Sequence, residues 1–280
     1  VLLDIYEGFA KGKALDMSQG GQVLNYDGRV TGTKDYADIA DSDVVVVTSG
    51  FPRQPGMTRE DLIGKNADIV SQVGEGIRQH APNSIVVMVT NPLDLMTYHM
   101  QKVTGFEHSR VVGQAGILDS ARMTHFIAQA VGCSNEDVQA MVLGGHGDTM
   151  VPLPRYTTVN GIPVSQLLGE EEVEAICQRT ANGGGEIVKL LEKGSAFYAP
   201  GSAAAIMAEA ILDDRKRVLP CSTYLSGEYG MDDIYIGVPV VLGRNGVERV
   251  IELELSDKEL DSLQGSGSFY KEQLSEILGY

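Results

Sequence analysis

The run Val44-Val45-Val46-Val47-Thr48-Ser49-Gly50 leaves little choice of local structure. Its consecutive β-branched residues favour an extended chain. Apolar side chains at every position, instead of every second one, predict a strand buried on both faces of a parallel sheet. Ser49-Gly50 ends it. Downstream, a long helix covers about residues 60–79 and stops at Pro82-Asn83. A second apolar strand, 84–89, runs into Thr90-Asn91-Pro92, followed by a helix over 93–103 and a short strand at 110–113. Upstream, residues 1–5 form an apolar strand with Asp4 near its end. The next helix has apolar positions at Phe9, Ala10, Ala14, Leu15 and Met17, and a shorter strand fits 29–32. Strands alternating with helices are the pattern of a doubly wound α/β sheet. Ligands of such sheets sit beyond the carboxyl ends of the strands, where Asp4, Ser49-Gly50 and Asn91 fall.

The pattern changes after Gly113. A helix over 118–131 leads into a strand over 138–143 and then Gly144-Gly145-His146-Gly147-Asp148. Residues 156–164 read as a β-hairpin, because Asn160-Gly161 favours a type I′ turn. Helical pattern fills 170–212, interrupted by Gly183-Gly184-Gly185 and Pro200. Strands over 234–242 and 247–255 are joined at Arg244-Asn245-Gly246, and a helix over 257–278 closes the chain. This half is α+β. The expected division is residues 1–113, a dinucleotide-binding domain, and 114–280, a substrate domain.

Composition excludes several classes of function. The chain has 280 residues, 43% of them hydrophobic and 21% charged, with a net charge of -16. Such acidity argues against a nucleic-acid partner, whose phosphates it would repel. No apolar run approaches the roughly 20 residues a membrane helix needs. Cys133, Cys177 and Cys221 are far apart and form no metal-ligand spacing, so a reduced, cytoplasmic protein without a metal site is expected.

His146 is the first candidate for chemistry. Flanking glycines remove side-chain bulk, so a ligand could approach the imidazole closely, and histidine titrates nearest neutrality. Asp119 and Arg122 are spaced i, i+3 at a helix start and share a face. Taken alone they would be a surface ion pair. The functional reading separates them, Asp119 receiving the Nδ1 proton of His146 and Arg122 facing a substrate carboxylate, which its planar fork suits. Arg53 and Arg59 lie in one Pro/Gly-bracketed loop that could close over an anion. Asp4 could accept both hydroxyls of an adenosine ribose and would repel a 2′-phosphate, favouring NAD over NADP.

Four motifs together carry a resemblance: Gly144-Gly145-His146-Gly147-Asp148, Leu118-Asp119-Ser120-Ala121-Arg122, Pro52-Arg53-Gln54-Pro55-Gly56-Met57-Thr58-Arg59 and Val89-Thr90-Asn91-Pro92. With them the whole chain closely resembles the lactate/malate dehydrogenase family, and within it the lactate-dehydrogenase-like malate dehydrogenases. The resemblance implies an NAD-dependent enzyme with a Rossmann-type domain, working as a homo-oligomer, dimer or tetramer. It implies that His146 is the acid/base, that Asp119 orients it, and that Arg122 holds the C1 carboxylate. Arg59 would polarise the carbonyl. Asn91 would contact substrate and nicotinamide, with Val89 and Asn66 near the cofactor. Arg53 would select malate/oxaloacetate, since desolvating a second carboxylate without a cation is expensive. Small Ala196 would leave room in that pocket. Alternatives are a lactate or broader 2-hydroxyacid dehydrogenase and a catalytically silent dinucleotide-binding fragment.

One departure stands out. The family's GxGxxG turn, which holds a pyrophosphate at a helix N-terminus, is not in this sequence. The chain starts on what looks like the family's second strand. The expectation is that the strands at 1–5 and 44–48 are neighbours only through a strand not in this chain, about 10 Å apart. About 25–30 upstream residues would supply that strand and the turn, and the chain as written would bind NAD poorly.

Overall fold

The computed structural model describes residues 1–51 and 58–280, apart from the side chain of Arg59. In the first half, β1 (Leu2–Leu3) is followed by α1 (Glu7–Leu24), β2 (Gly32–Thr33), β3 (Val44–Val47), α2 (Arg59–His80), β4 (Ile85–Met88), α3 (Leu93–Thr104) and β5 (Val111–Gly113). The second half opens with α4 (Gly116–Val131), β6 (Val138–Gln139), β7 (Val142–Gly144), β8 (Met150–Pro152), β9 (Thr158–Val159) and β10 (Ile162–Pro163). It ends with α5 (Glu170–Leu191), α6 (Tyr198–Leu212), β11 (Arg217–Ser226), β12 (Asp232–Gly243), β13 (Gly246–Val250) and α7 (Asp257–Gln273).

β3, β4 and β5 pair in parallel, with Val46 opposite Val87 and Val87 opposite Val112. β4 is buried at every position, as a continuous apolar run requires. β3 departs from the expectation of burial on both faces: Val46 is 41% exposed, because β3 is the edge of its sheet. β1 pairs only with β2, in a separate two-stranded parallel sheet, and neither pairs with β3 among the described residues. In α1 the buried side is Ala10, Ala14 and Gly21, while Phe9, Leu15 and Met17 face outward. Gly32 explains that choice: a Cβ there would stand 2.3 Å from the carbonyl carbon of Ala10, so the buried side must be small.

The parallel strands continue into the second half without a break in the sheet. β5 pairs with β11 antiparallel, β11 with β12, and β12 with β7 and β13, making one eight-stranded mixed sheet with β8 at the far edge. The long β11 has no counterpart in the sequence reading. Pro220 sits in its middle, and proline argues against a central strand because it cannot donate to the ladder. Pro220 lies opposite Pro239 of β12, whose carbonyl turns away to accept from Ile251 N–H, so neither proline removes a bond from the β11–β12 ladder.

Other expectations are corrected in detail. The strand over 138–143 splits: β6 pairs with the β9–β10 hairpin, and β7 joins the large sheet. The hairpin turn itself is as predicted, with Asn160 and Gly161 both at positive φ. Gly183-Gly184-Gly185 do not interrupt α5. Its buried stripe Val173, Ile176, Thr180, Gly183 runs through them, so tertiary packing overrides their poor helix propensity. Pro200 lies in the first turn of α6, where a missing N–H goes unnoticed. The break between the two helices is instead at 192–197, where Glu192 and Gly194 take positive φ. The last helix ends its α-helical part at Gln273 and finishes in a π-helical turn, Leu274–Leu278.

Candidate functional site

α4 passes between two hydrophobic cores, with Leu118 in the larger and Met123 in the smaller. Asp119 and Arg122 lie on the stretch between them. The Asp119 side chain is 2% exposed and uses both oxygens. Oδ2 accepts from His146 Nδ1 at 2.9 Å, and Oδ1 accepts from Arg122 NH1 at 3.0 Å. The sequence reading separated Asp119 from Arg122; the structure joins them, because one carboxylate can serve two donors. Nor is this a surface pair, since His146 and Arg122 are each only 14% exposed.

This arrangement sets the state of the imidazole. Burial disfavours the imidazolium, while the Asp119 charge and hydrogen bond favour it; the net result is a pKa raised above the ordinary histidine value. With Nδ1–H donating to Asp119, Nε2 is the nitrogen left for proton exchange.

The backbone around His146 shows why glycines surround it. Gly144 and Gly147 adopt φ of 81° and 135°, which side chains rarely tolerate. A Cβ on Gly147 would meet nothing within 4 Å, as expected for an open approach. Gly145 differs: a Cβ there would fall 1.9 Å from the Tyr270 ring, so its bareness admits α7 and not a ligand. Gly145 N–H donates to Ser266 Oγ at 3.0 Å, and the His146 N–H donates to Asp94 Oδ2 at 2.9 Å. Ser222 Oγ donates to the other oxygen of Asp94 at 2.7 Å.

The remaining expected residues lie at the ends of the parallel strands. Asn91 is exposed, three residues past the end of β4, and its peptide bond to Pro92 is cis. Asn66 is buried with its amide fully engaged: Oδ1 accepts from Phe51 N–H and Nδ2 donates to the Asn91 carbonyl, both at 2.6 Å. It thus braces the loops after β3 and β4 against each other. Val89 is half-buried, its N–H bonded to Val47 O. Asp4 is half-buried after β1 and accepts from Tyr6 N–H at 2.8 Å. Ala196 is half-buried ahead of α6. Arg53 lies outside the described residues. Arg59 opens α2, held in place by a capping box in which Thr58 and Asp61 bond reciprocally, a device worth about 1 kcal/mol.

Sequence reasoning missed Asp94, Ser222, Ser266 and Tyr270. Asp94 looked like any acidic residue in a first helical turn, where the helix dipole favours it. Ser222 belongs to the unforeseen β11. Ser266 and Tyr270 reach His146 from more than a hundred positions away, and no local pattern reports that.

The chain is similar to known proteins over nearly its whole length. Residues 1–113 match the family described as lactate/malate dehydrogenase, NAD binding domain, and residues 117–279 match its alpha/beta C-terminal domain. The malate dehydrogenase of Methanosarcina mazei is 53% identical over 277 residues, covering 99% of this chain and 90% of that protein. The malate dehydrogenase of Roseiflexus sp. (strain RS-1) is 58% identical over 260 residues, covering 93% of this chain and 84% of that one. The solved malate dehydrogenase of Salinibacter ruber superposes with a TM-score of 0.94 at 50% identity, covering 99% of this chain and 88% of the other. With domain matches across nearly its whole length, the chain belongs to the lactate/malate dehydrogenase family.

Proposed function

We propose that the protein is an NAD-dependent malate dehydrogenase, interconverting malate and oxaloacetate. The observation that carries the reading is the Asp119 carboxylate, which holds a mostly buried imidazole and a mostly buried guanidinium in one hydrogen-bonded array. That array offers a proton at His146 Nε2 and a fork for a carboxylate beside it. In the reducing direction protonated His146 donates to the substrate carbonyl oxygen; in the oxidising direction neutral His146 removes the hydroxyl proton. Asp119 keeps the ring in the required tautomer and stabilises its charge. Arg122 orients the substrate through its C1 carboxylate, Arg59 polarises the carbonyl, and Arg53 pairs with the second carboxylate.

When bound, the cofactor would supply the hydride as NADH and accept it as NAD+. The residues present suit its ribose and nicotinamide ends: Asp4, Ser49-Gly50 and Asn91 each follow a parallel strand, and Asn66 buttresses the last two loops. Asp4 would bind the ribose hydroxyls, with Val89 and Asn91 toward the nicotinamide. We divide the chain at 1–113 and 114–280 on this reading. A homo-oligomer fits the exposed apolar side chains Phe9, Leu15, Tyr198 and Leu212 on α1 and α6. The free cysteines Cys133, Cys177 and Cys221 suit a cytoplasmic enzyme.

The test is NADH oxidation followed with oxaloacetate and, separately, pyruvate. Faster turnover of oxaloacetate supports the reading. Preference for pyruvate would make the protein a lactate dehydrogenase, and NADH binding without turnover a silent dinucleotide-binding protein.

A further inference from the structure

His146 lies between Gly145 and Gly147, two residues of high intrinsic backbone freedom. A misplacement of about 1 Å at a reacting group can cost on the order of a hundredfold in rate. Something must therefore hold this backbone. Three side chains do: Ser266 takes the Gly145 N–H, Tyr270 OH reaches the His146 carbonyl at 3.4 Å, and Asp94 takes the His146 N–H.

Asp94 is the charged member of the three, and it is 1% exposed. A buried carboxylate is costly unless donors surround it. Here the donors come from two different elements, the His146 N–H after β7 and the Ser222 hydroxyl on β11. Asp94 itself stands in the first turn of α3, three residues beyond Asn91. It thus joins the loop after β4 to the loop that carries the imidazole.

We propose that Asp94 is a positioning residue for His146: it fixes the backbone of the proton-transferring residue, and its charge adds to that of Asp119 beside the imidazole. This rests on His146 being the acid/base. The charged groups facing Asp94 are His146, from the turn after β7, and Asp119, from α4, with Arg122 bonded to Asp119. Burial pushes the Asp94 carboxyl up to about 6, against the opposing pull of the Ser222 and His146 hydrogen bonds. Protonation of Asp94 at slightly acidic pH would remove one of the two charges that favour the imidazolium.

The experiment follows the His146 imidazole by NMR titration in the protein without cofactor, alongside kcat/KM for oxaloacetate. Asp94→Asn keeps the shape and the Ser222 contact, but loses the charge and one acceptor. We expect the His146 pKa to fall by roughly half a unit or more, and kcat/KM to fall at least tenfold, with NADH affinity within twofold of the parent. An unchanged His146 titration, with activity lost only in step with Tm, would make Asp94 merely structural and overturn the proposal. If Asp94→Asn does not fold, Ser222→Ala decides. It leaves the charge but removes one donor, so Asp94 protonates at higher pH, the imidazolium is favoured less, and the alkaline decline of kcat/KM moves to lower pH. A profile superimposable on the parent overturns the proposal. A parent inactive with both keto acids would overturn the proposed reaction alone, since the NMR titration reads the Asp94–His146 coupling independently.

Discussion

Gly183 of α5 lies against Arg122 of α4: a methyl group placed on it would stand 3.1 Å from Arg122 Cδ. A methyl group placed on the neighbouring Gly184 would stand 3.4 Å from NH2 of the same guanidinium. At 3.1 Å the arginine must shift by a few tenths of an ångström, moving the fork that is to hold the substrate. Gly183→Ala should therefore raise KM for oxaloacetate severalfold with NADH affinity unchanged. Helix propensity favours the same substitution by roughly 0.5–1 kcal/mol, so Tm should hold or rise. An unaltered KM would show that this contact does not set the position of Arg122.

His146→Asn should abolish turnover while NADH binding changes little, because the lesion lies in proton transfer and substrate binding. Asp119→Asn should be milder, leaving the imidazole but removing tautomer control and charge stabilisation. It also strips Arg122 of its carboxylate partner, so KM should rise as kcat falls. A His146→Asn enzyme retaining more than a tenth of the parent rate would falsify the acid/base assignment.

The raised pKa of His146 has a definite sign in pH dependence. Burial opposes the imidazolium but Asp119 prevails. The ion pair's contribution to stability is fully present below the unfolded value of about 6.5. It is lost as pH rises through the higher folded value. Oxaloacetate reduction requires the protonated ring, so kcat/KM should decline across that same window, while malate oxidation gains. In Asp119→Asn the alkaline decline should move to lower pH. A decline that stays in place in this variant would mean that another group governs the limb.

Arg53→Gln should shift preference from oxaloacetate toward pyruvate. Loss of a charge-assisted pair in a closed site should cost on the order of 2–5 kcal/mol in oxaloacetate discrimination. The check is the ratio of kcat/KM for the two acids. An unchanged ratio would mean that Arg53 is not the selector.

Local sequence determined the parallel core and the candidates for chemistry. β4 and β3 could be read because a run of β-branched residues satisfies few other conformations, and the β9–β10 turn because Asn160-Gly161 tolerates positive φ. His146, Asp119 and Arg122 were legible as residue types suited to proton transfer and carboxylate binding. Tertiary structure decided how they meet. Only the packed position of α4 lets one carboxylate serve both His146 and Arg122. Only the docking of α5 on α4 keeps Gly183 helical, since burial there outweighs a propensity deficit of about 1 kcal/mol. β11, with Pro220 in its middle, exists because β5 and β12 flank it on both sides. Asp94, Ser222, Ser266 and Tyr270 act on the His146 loop across separations that no local propensity encodes. Hydrogen bonds depend on distance in space, and the fold alone brings these groups within reach.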